Sequence, residues 1–231
     1  MKFFREEIQK LLNLLKSGNN FSFSKYADGE WAAMTGRRVS NKEWETSEVS
    51  KHSASLLNES FRYKHPDYHV GISCPCCRGE DHYSMKSESG QSLDNLTFAN
   101  VFVNGNYDFF TEKFIEEFKK REIHLIANEE SEILNLPFEV QEFYPVGYNA
   151  WVENLDLLED PRLSKSEKKL VLMCCGPLGN IIAHKVWEKN TSNTYLDIGS
   201  TLSPWLNSCG FERGYFKGKN RSRECIWGEP K

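Results

Sequence analysis

Apolar side chains recur along the chain with two spacings, and these spacings predict its secondary structure. Residues 2–17 repeat apolar positions every three or four residues, which indicates an amphipathic helix. Phe21 and Phe23 then alternate with serines, the period-two pattern of a half-buried strand. A polar loop is expected over 36–46, and the apolar positions that follow predict a helix over 47–60.

The remaining pattern alternates short apolar runs with longer segments at helical spacing. Strands are predicted over 68–73, 99–104, 122–128, 138–144, 169–175 and 194–198, and helices over 106–120, 151–159 and 180–189. The polar stretch 80–97 predicts a mobile loop with a short helix. Because strands alternate with helices throughout, the sequence predicts an α/β fold in which crossover helices flank a mostly parallel sheet.

Length and charge limit the domain organisation and the class of partner. The chain has 231 residues, 39% of them hydrophobic and 27% charged, which fits a single domain with a substantial core. Within that domain we expect a polar loop insert at about 74–97 and a basic C-terminal tail at about 213–231. The net charge of -4 provides no global basic field, so no nucleic-acid partner is expected.

The sequence also predicts where the protein resides. It has no apolar run of the roughly 18 residues that a transmembrane helix needs. The first twenty residues mix Lys, Glu and Leu and do not form a signal peptide. The seven cysteines, an odd number, are typical of reduced thiols rather than of a disulfide framework. A cytoplasmic location is therefore expected.

Two carboxylates stand where the first predicted strand is followed by a helix. Asp28 and Glu30 are separated only by Gly29, and Trp31 begins the apolar side of the helix. One interpretation is a helix N-terminus, where an Asp cap and a Glu in the first turn are both favoured. The other is a carboxylate pair that holds a divalent cation, which prefers hard oxygen ligands. Taken alone, the stretch leaves both interpretations open.

A cysteine-rich segment follows the predicted strand 68–73. Cys74, Cys76 and Cys77 have the look of a zinc knuckle. A structural zinc site usually has four ligands in matched pairs, and no second CxxC follows. His82 is close enough in sequence to complete a set, although the spacing is tight. The alternative is an ordinary turn after the strand, marked by a proline and a glycine.

The segment from 169 to 200 has the layout of a mononucleotide-binding βαβ unit. A strand leads into Gly176-Pro177-Leu178-Gly179, a helix and a second strand that ends near Asp197. Glycines there let the backbone approach a phosphate, and the helix N-terminus supplies N–H donors. The turn matches neither GxGxxG nor a Walker A loop, so a tight turn without a ligand remains the alternative.

The C-terminal region carries a short basic run. Residues 216–223 contain four positive charges, among them Arg221 and Arg223. A solvated surface is the usual meaning of such a run. In an acidic protein the run can also fold over a diphosphate, whose charge Arg and Lys neutralise.

Several of these blocks, in this order, resemble the glycosyltransferases of the GT-D fold, a family first described as a domain of unknown function. The blocks are Tyr26-Ala27-Asp28-Gly29-Glu30, Ala99 to Asn104 with Tyr107 and Phe110, Tyr148-Asn149-Ala150-Trp151, Val171 to Pro177, and Leu196-Asp197-Ile198-Gly199-Ser200. Two departures stand out. Lys25 replaces the family's usual Arg upstream of the first block, and Ser200 stands where the family often has His.

The resemblance implies a Rossmann-like α/β fold and transfer of a sugar from a nucleotide-sugar donor, UDP- or GDP-linked, to a glycan or glycoprotein acceptor. It also implies that Asp28 and Glu30 bind Mn²⁺ or Mg²⁺ together with the donor diphosphate. The polar loops at 36–46 and 74–97 would then face the acceptor, since loops on a rigid scaffold carry specificity.

Further site residues are assigned as candidates. Those expected around the donor are Lys25, Tyr26, Asn104, Asn128, Gly176, Pro177, Leu178, Gly179, Arg221 and Arg223. The general base that a direct displacement needs is left open among Glu30, Glu129 and Asp197. Two rival functions also stay open. One is a non-catalytic nucleotide-binding module, and the other is a different nucleotide-using transferase.

Overall fold

The computed structural model describes residues 2–207 and 213–227, and it is built around a seven-stranded parallel sheet. The strands are β1 (Lys2–Phe3), β2 (Ser22–Lys25), β3 (Tyr68–Ile72), β4 (Leu96–Phe98), β5 (Ile123–Asn128), β6 (Glu142–Val146), β7 (Leu170–Cys174), β8 (Thr194–Asp197) and β9 (Ile226–Trp227). Strands β2 to β8 form the sheet in the order β4-β3-β2-β8-β7-β5-β6, and β1 pairs with β9 antiparallel. Residues 228–231 of the predicted basic tail lie outside the described residues.

Helices cover the sheet. They are α1 (Phe4–Ser17), α2 (Asp28–Met34), α3 (Lys51–Arg62), α4 (Pro75–Ser89), α5 (Tyr107–Phe109), α6 (Ile115–Phe118), α7 (Ala150–Glu153), α8 (Pro161–Ser164), α9 (Pro177–Lys189), α10 (Ser203–Leu206) and α11 (Gly218–Arg221). The predicted α/β class with a mostly parallel sheet is confirmed. In the described ranges, no helix has the length and apolar character that spanning a bilayer requires.

The order of the strands creates a crevice near the middle of the sheet. From β2 the chain moves outward through β3 to β4, whereas the later strands fill the other side and return to β8 beside β2. In open parallel sheets ligands bind where the strand order reverses, outside the carboxyl ends of the strands. The ends of β2, β7 and β8 therefore border the expected binding position.

The predicted strand over 99–104 is wrong. The strand is Leu96–Phe98, and residues 99–103 form turns that lead into a 3₁₀ turn at Asn104–Asn106. Asn104 has a φ of 54°, which a strand cannot accommodate. The apolar residues of this segment are buried as turns; Phe102, for example, packs edge-on against Phe23. Burial rather than strand pairing accounts for their hydrophobicity.

Other boundaries shift as well. The mobile loop expected over 80–97 is largely occupied by α4, which is interrupted only at Arg78 (φ −149°, ψ 68°). Few of its residues are buried, and these lie along one side of the helix. Most of its side chains are therefore polar, which gives the segment the composition of a loop. Strand β6 starts later than expected, and the helix predicted over 151–159 is a short α7 followed by a 3₁₀ segment, Leu155–Glu159.

Candidate functional site

A cleft with a volume of ≈ 530 Å³ lies at the carboxyl ends of the central strands. Lys25, the last residue of β2, lines one part of it, and Gly176 and Gly199, which follow β7 and β8, line another. The turn that carries Asp28 and Glu30 also contributes to the lining. The cleft thus lies where the strand order reverses, which is where ligands bind in open parallel sheets.

The two carboxylates have different surroundings. Ala27, not Asp28, is the N-cap of α2, and its N–H donates a hydrogen bond to Oε2 of Glu30 over 2.9 Å. Glu30, which is 6% exposed, therefore supplies one of the two hydrogen bonds of a capping box, the one from its side chain to the N-cap N–H. Asp28 is exposed, and its Oδ2 accepts a hydrogen bond from Nη2 of Arg78 over 2.6 Å. The interpretation of Asp28 as the helix cap is therefore wrong: Ala27 is the N-cap, and Glu30 at the third helical position accepts its N–H.

Both carboxylates line the cleft, and oxygen ligands of this type are the ones that hold a divalent cation whose coordination is completed by a bound ligand. In the described part of the chain, no third carboxylate, histidine or cysteine joins Asp28 and Glu30 in a ready-made cluster. Mg²⁺-type sites in phosphate-handling enzymes commonly use one or two carboxylates, with phosphate oxygens and water as the other ligands. The donor set therefore suits a cation that arrives together with a phosphate, and not a cage made of protein groups alone.

Asp197 lies beneath the cleft and holds the end of β2. Its Oδ2 accepts a hydrogen bond from the backbone N–H of Lys25 over 3.1 Å, and its Oδ1 accepts one from Gly199 over 3.2 Å. Burial raises the pKa of Asp197 to about 7, although Lys25 and the two N–H donors oppose that rise. Asp197 is 1% exposed, so these bonds join β8 to β2 below the surface of the cleft.

The side chain of Lys25 brings a positive charge into an acidic environment. Burial alone would lower its pKa, but Asp197 and Glu30 outweigh burial and keep the pKa above its usual range. The ammonium passes directly beside Gly199, where a Cβ would lie 2.1 Å from Cε of Lys25. Gly199 also has a φ of 51°. The backbone therefore favours glycine there, and a side chain at this position would also have to displace the end of Lys25.

The glycine turn after β7 leads directly into a helix, as the sequence predicted. Gly176, with a φ of 58°, lines the cleft, and Pro177 begins α9. Gly179 lies in the first turn of α9, where a Cβ would be 3.3 Å from Cβ of Met173 and 3.5 Å from Cγ of Asp197. This is the close helix-to-strand packing that a glycine permits in nucleotide-binding βαβ units.

Trp44 joins the two glycine turns. A Cβ on Gly29 would lie 2.9 Å from its ring, and one on Gly176 would lie 3.1 Å from it. The ring also packs edge-on against Trp151, with centroids 5.3 Å apart. Asn149 fixes the same loop, since its N–H donates to the carbonyl of Glu43 over 2.9 Å. The predicted loop at 36–46 therefore forms a docked wall of the cleft.

The predicted site residues fall into three groups. The cleft is lined by Asp28, Glu30, Lys25, Asn104, Gly176 and Arg223. Beneath it, buried in the supporting elements, lie Asp197, Tyr26, Pro177, Leu178 and Gly179. Two residues lie apart from the lining: Asn128, whose Oδ1 accepts from the N–H of Glu130, and Arg221, whose guanidinium pairs with Asp108 at 2.5 Å.

Several cleft residues were not singled out from the sequence. Arg78 reaches Asp28, and Arg213 forms an ion pair with Glu43 at 2.6 Å. Tyr215 lies in the same lining, and its hydroxyl contacts that of Ser200. Arg78 comes from the predicted polar insert and the other two from the predicted C-terminal tail, so charge was the only signal for the arginines and Tyr215 had none.

Comparison with known proteins gives matches at the level of structure. No protein-family model matches the sequence, and no curated protein matches it. One solved structure, described as the highly conserved domain of unknown function 1792 with a distinct glycosyltransferase fold, aligns with a TM-score of 0.60 at 15% identity, over 85% of this chain and 78% of that one.

A second structure supports the same assignment. It is described as a new glycosyltransferase (DUF1792) from Streptococcus sanguinis and aligns with a TM-score of 0.61 at 15% identity, over 87% of this chain and 82% of the other. The selenomethionine form of the domain gives a TM-score of 0.59 at 16% identity. The chain therefore has the glycosyltransferase fold of the domain of unknown function 1792, as its sequence resemblance predicted.

Proposed function

We propose that this protein is a metal-dependent glycosyltransferase that moves a sugar from a nucleoside-diphosphate sugar to a hydroxyl group of a glycan or glycoconjugate. One observation carries the proposal. The carboxylate turn at Asp28 and Glu30 and the glycine turn at Gly176 converge on a single cleft at the reversal of the strand order. Such convergence on a glycosyltransferase fold suits a ligand that has both a diphosphate and a sugar.

The chemistry requires that negative charge on the departing diphosphate be stabilised. A divalent cation bound at Asp28 and Glu30 supplies positive charge to the leaving diphosphate. The protein adds its own cations, since Lys25, Arg78 and Arg223 all line the cleft. Guanidinium groups bind phosphate oxygens in a two-point geometry that a lysine cannot reproduce.

In this proposal the carboxylates differ in role. Glu30 is held by the N–H of Ala27 through Oε2, so the capping bond fixes its direction. Asp28 is exposed and paired with Arg78, so binding a cation would require it to give up that partner. Asp197 is a positioning residue, because it holds the backbone of Lys25 and Gly199 below the cleft. Glu129 lies outside the lining of the cleft.

The acceptor would approach along the sides of the cleft formed by the two segments predicted as polar loops, 36–46 and 74–97. Asn41, Glu43 and Trp44 come from one of them, and Cys77 and Arg78 come from the start of α4. Aromatic and polar side chains in such a wall suit recognition of a sugar.

A thermal-shift screen of UDP- and GDP-sugars, with and without Mn²⁺, tests the proposal. A ligand at 100 times its dissociation constant stabilises the folded state by about 2.7 kcal/mol. For a chain of this size that corresponds to a rise of roughly 5–10 °C in the Tm. We expect such a rise only when donor and Mn²⁺ are both present. On longer incubation the enzyme should also hydrolyse the donor slowly and release the nucleoside diphosphate. Binding without any turnover, even with acceptors supplied, would instead support a non-catalytic nucleotide-binding module.

A further inference from the structure

Four cysteines meet at the side of the cleft, although they are far apart in the sequence. Cys74, Cys76 and Cys77 lie at the start of α4, and Cys225 immediately precedes β9. Their four sulfur atoms all lie within 4.8 Å of one another. Among the described residues they form the one group of three or more Cys, His, Asp or Glu side chains placed to share a metal ion.

The spacing of the sulfur atoms suits a tetrahedral ion. Four thiolates at a Zn–S distance of about 2.3 Å have sulfur atoms about 3.8 Å apart. Here the sulfurs of Cys74 and Cys76 are 3.3 Å apart, and no pair exceeds 4.8 Å. Small rotations of the side chains would bring all four to the tetrahedral spacing. A disulfide needs a much shorter separation of about 2.05 Å, and all four residues are free cysteines.

The surroundings of the cluster are those of thiolate ligands. Asn100 donates from Nδ2 to the sulfur of Cys225 over 2.9 Å, and the N–H of Ile226 donates to the sulfur of Cys76 over 3.4 Å. Arg223 interacts electrostatically with all four cysteines and donates to the carbonyl of Cys76 over 2.8 Å. Four thiolates around Zn²⁺ carry a net charge of −2, which such donors and a guanidinium offset.

We propose that Cys74, Cys76, Cys77 and Cys225 bind one structural Zn²⁺. Four protein ligands leave no open position, so the ion serves the fold and not the chemistry of the cleft. The zinc knuckle considered from the sequence had the first three cysteines but the wrong fourth ligand: His82 is not part of the group, and its Nδ1 lies 2.7 Å from the carbonyl of Ser73. The fourth sulfur belongs to Cys225, too far along the chain for local spacing to indicate it. This inference is independent of the proposed glycosyltransferase activity.

The ion would fasten the C-terminal segment across the side of the cleft. Arg223 lies two residues before the fourth ligand, lines the cleft, and accepts a hydrogen bond at its carbonyl from the N–H of Gly105 over 2.9 Å. Beyond the ligand, Trp227 packs edge-on against Phe98 and His82. Zinc would therefore tie the segment that carries Arg223 to the start of α4, where Cys74 precedes the helix and Cys76 and Cys77 lie in its first turn.

The metal content of the full-length protein tests the proposal. We expect the protein purified from zinc-supplemented cells under reducing conditions to contain about one Zn²⁺ per chain by plasma mass spectrometry, as a closed four-ligand site requires. Cys225→Ser should reduce that content at least tenfold. Cys175→Ser is the matched control, because Cys175 is also a buried cysteine but lies outside the cluster, and it should keep the zinc.

Cobalt substitution of the unaltered protein keeps the test valid if Cys225→Ser fails to fold. Co²⁺ bound by four thiolates gives intense sulfur-to-cobalt charge-transfer bands and the strong d–d bands of a tetrahedral site, and added Zn²⁺ removes both. A protein that is free of zinc and gives no such spectrum would overturn the proposal. So would peptide mapping that finds a disulfide between any two of the four cysteines in protein kept under reducing conditions.

Discussion

The guanidinium of Arg78 donates a hydrogen bond to the carboxylate of Asp28 over 2.6 Å. Both side chains are more than half exposed, so the pair contributes little to stability, between about 0 and 1 kcal/mol. Its importance lies in its position, because it links the cysteine-bearing helix α4 to the carboxylate turn of the cleft. The proposed cation and Arg78 would compete for the same carboxylate.

That competition predicts the behaviour of Arg78→Gln. Without the guanidinium, Asp28 has no positive partner to displace, so Mn²⁺ should bind several-fold more tightly when no nucleotide is present. Arg37→Gln is the control, since Arg37 pairs with Asp81 at 3.4 Å away from the lining of the cleft. Mn²⁺ titrations followed by electron paramagnetic resonance measure the difference. Equal affinity in both variants would mean that Asp28 is not a ligand.

The two functions of Glu30 can be separated by the choice of substitution. Glu30→Ala removes the acceptor for the N–H of Ala27 and should lower the free energy of unfolding by about 1 kcal/mol, the usual cost of a lost cap. Glu30→Gln keeps a carbonyl acceptor but lacks the charge, so it should stay near the stability of the unaltered protein while losing metal-dependent donor binding. Urea denaturation combined with donor titration distinguishes the two; full donor binding by Glu30→Gln would contradict the role as a ligand.

Substitution of Gly199 should affect donor binding as well as backbone conformation, because Lys25 lies beside it. An alanine at a φ of 51° costs about 1–2 kcal/mol, and its Cβ would also displace Lys25. Gly36→Ala carries the same kind of backbone cost at a φ of 75° but meets no atom within 4 Å. Both variants should lose similar stability, whereas only Gly199→Ala should weaken donor binding, by tenfold or more. If the two bind donor equally well, Lys25 has no part in recognition.

The raised pKa of Asp197 predicts a component of the stability profile. Burial raises that pKa from its ordinary value of 3.8 to about 7, so the folded state binds the proton more tightly than the unfolded state does. Its contribution is therefore present below about pH 4 and is lost as the pH rises to about 7. The buried His69 and His184, whose pKa values burial lowers to about 4, act in the opposite direction across the same range.

The difference between the unaltered protein and Asp197→Asn isolates this component. Each unit of pKa change corresponds to about 1.4 kcal/mol, so the difference in the free energy of unfolding should change by more than about 1 kcal/mol between pH 4 and pH 7. Relative to the variant, the unaltered protein should become less stable as the pH rises. Urea denaturation across this range measures it, and a constant difference would show that Asp197 stays ionised throughout.

Local patterns sufficed for most of the fold. The apolar runs that became β5, β7 and β8 are buried on both faces, so each stands out in the sequence, and the helix between β7 and β8 enforces their parallel pairing. The strand prediction for 99–104 failed because hydrophobic side chains indicate that a segment is buried, not which conformation its backbone adopts. Helix α4 was underestimated because it buries only three side chains: His82, Met85 and Ser89.

The site was less accessible from the sequence than the fold. Asp28 and Glu30 were visible as a motif at the end of a strand, and Gly176 as a turn before a helix, because their significance is local. The contacts of Arg78 with Asp28, of Arg213 with Glu43 and of Cys225 with the cysteines of α4 join residues from 50 to 170 positions apart. Such groups come together only in the folded chain, and no periodic pattern in the sequence predicts their contacts.

Calorimetric titration of UDP and GDP, with and without Mn²⁺, tests the central claim most directly. We predict that one of these nucleoside diphosphates binds at least tenfold more tightly with Mn²⁺, a difference of about 1.4 kcal/mol or more. Asp28→Asn and Glu30→Gln should abolish that difference. Asp156→Asn, which changes an exposed carboxylate outside the cleft, should preserve it. An affinity that is the same with and without Mn²⁺, or that is unaffected by both cleft substitutions, would contradict the account.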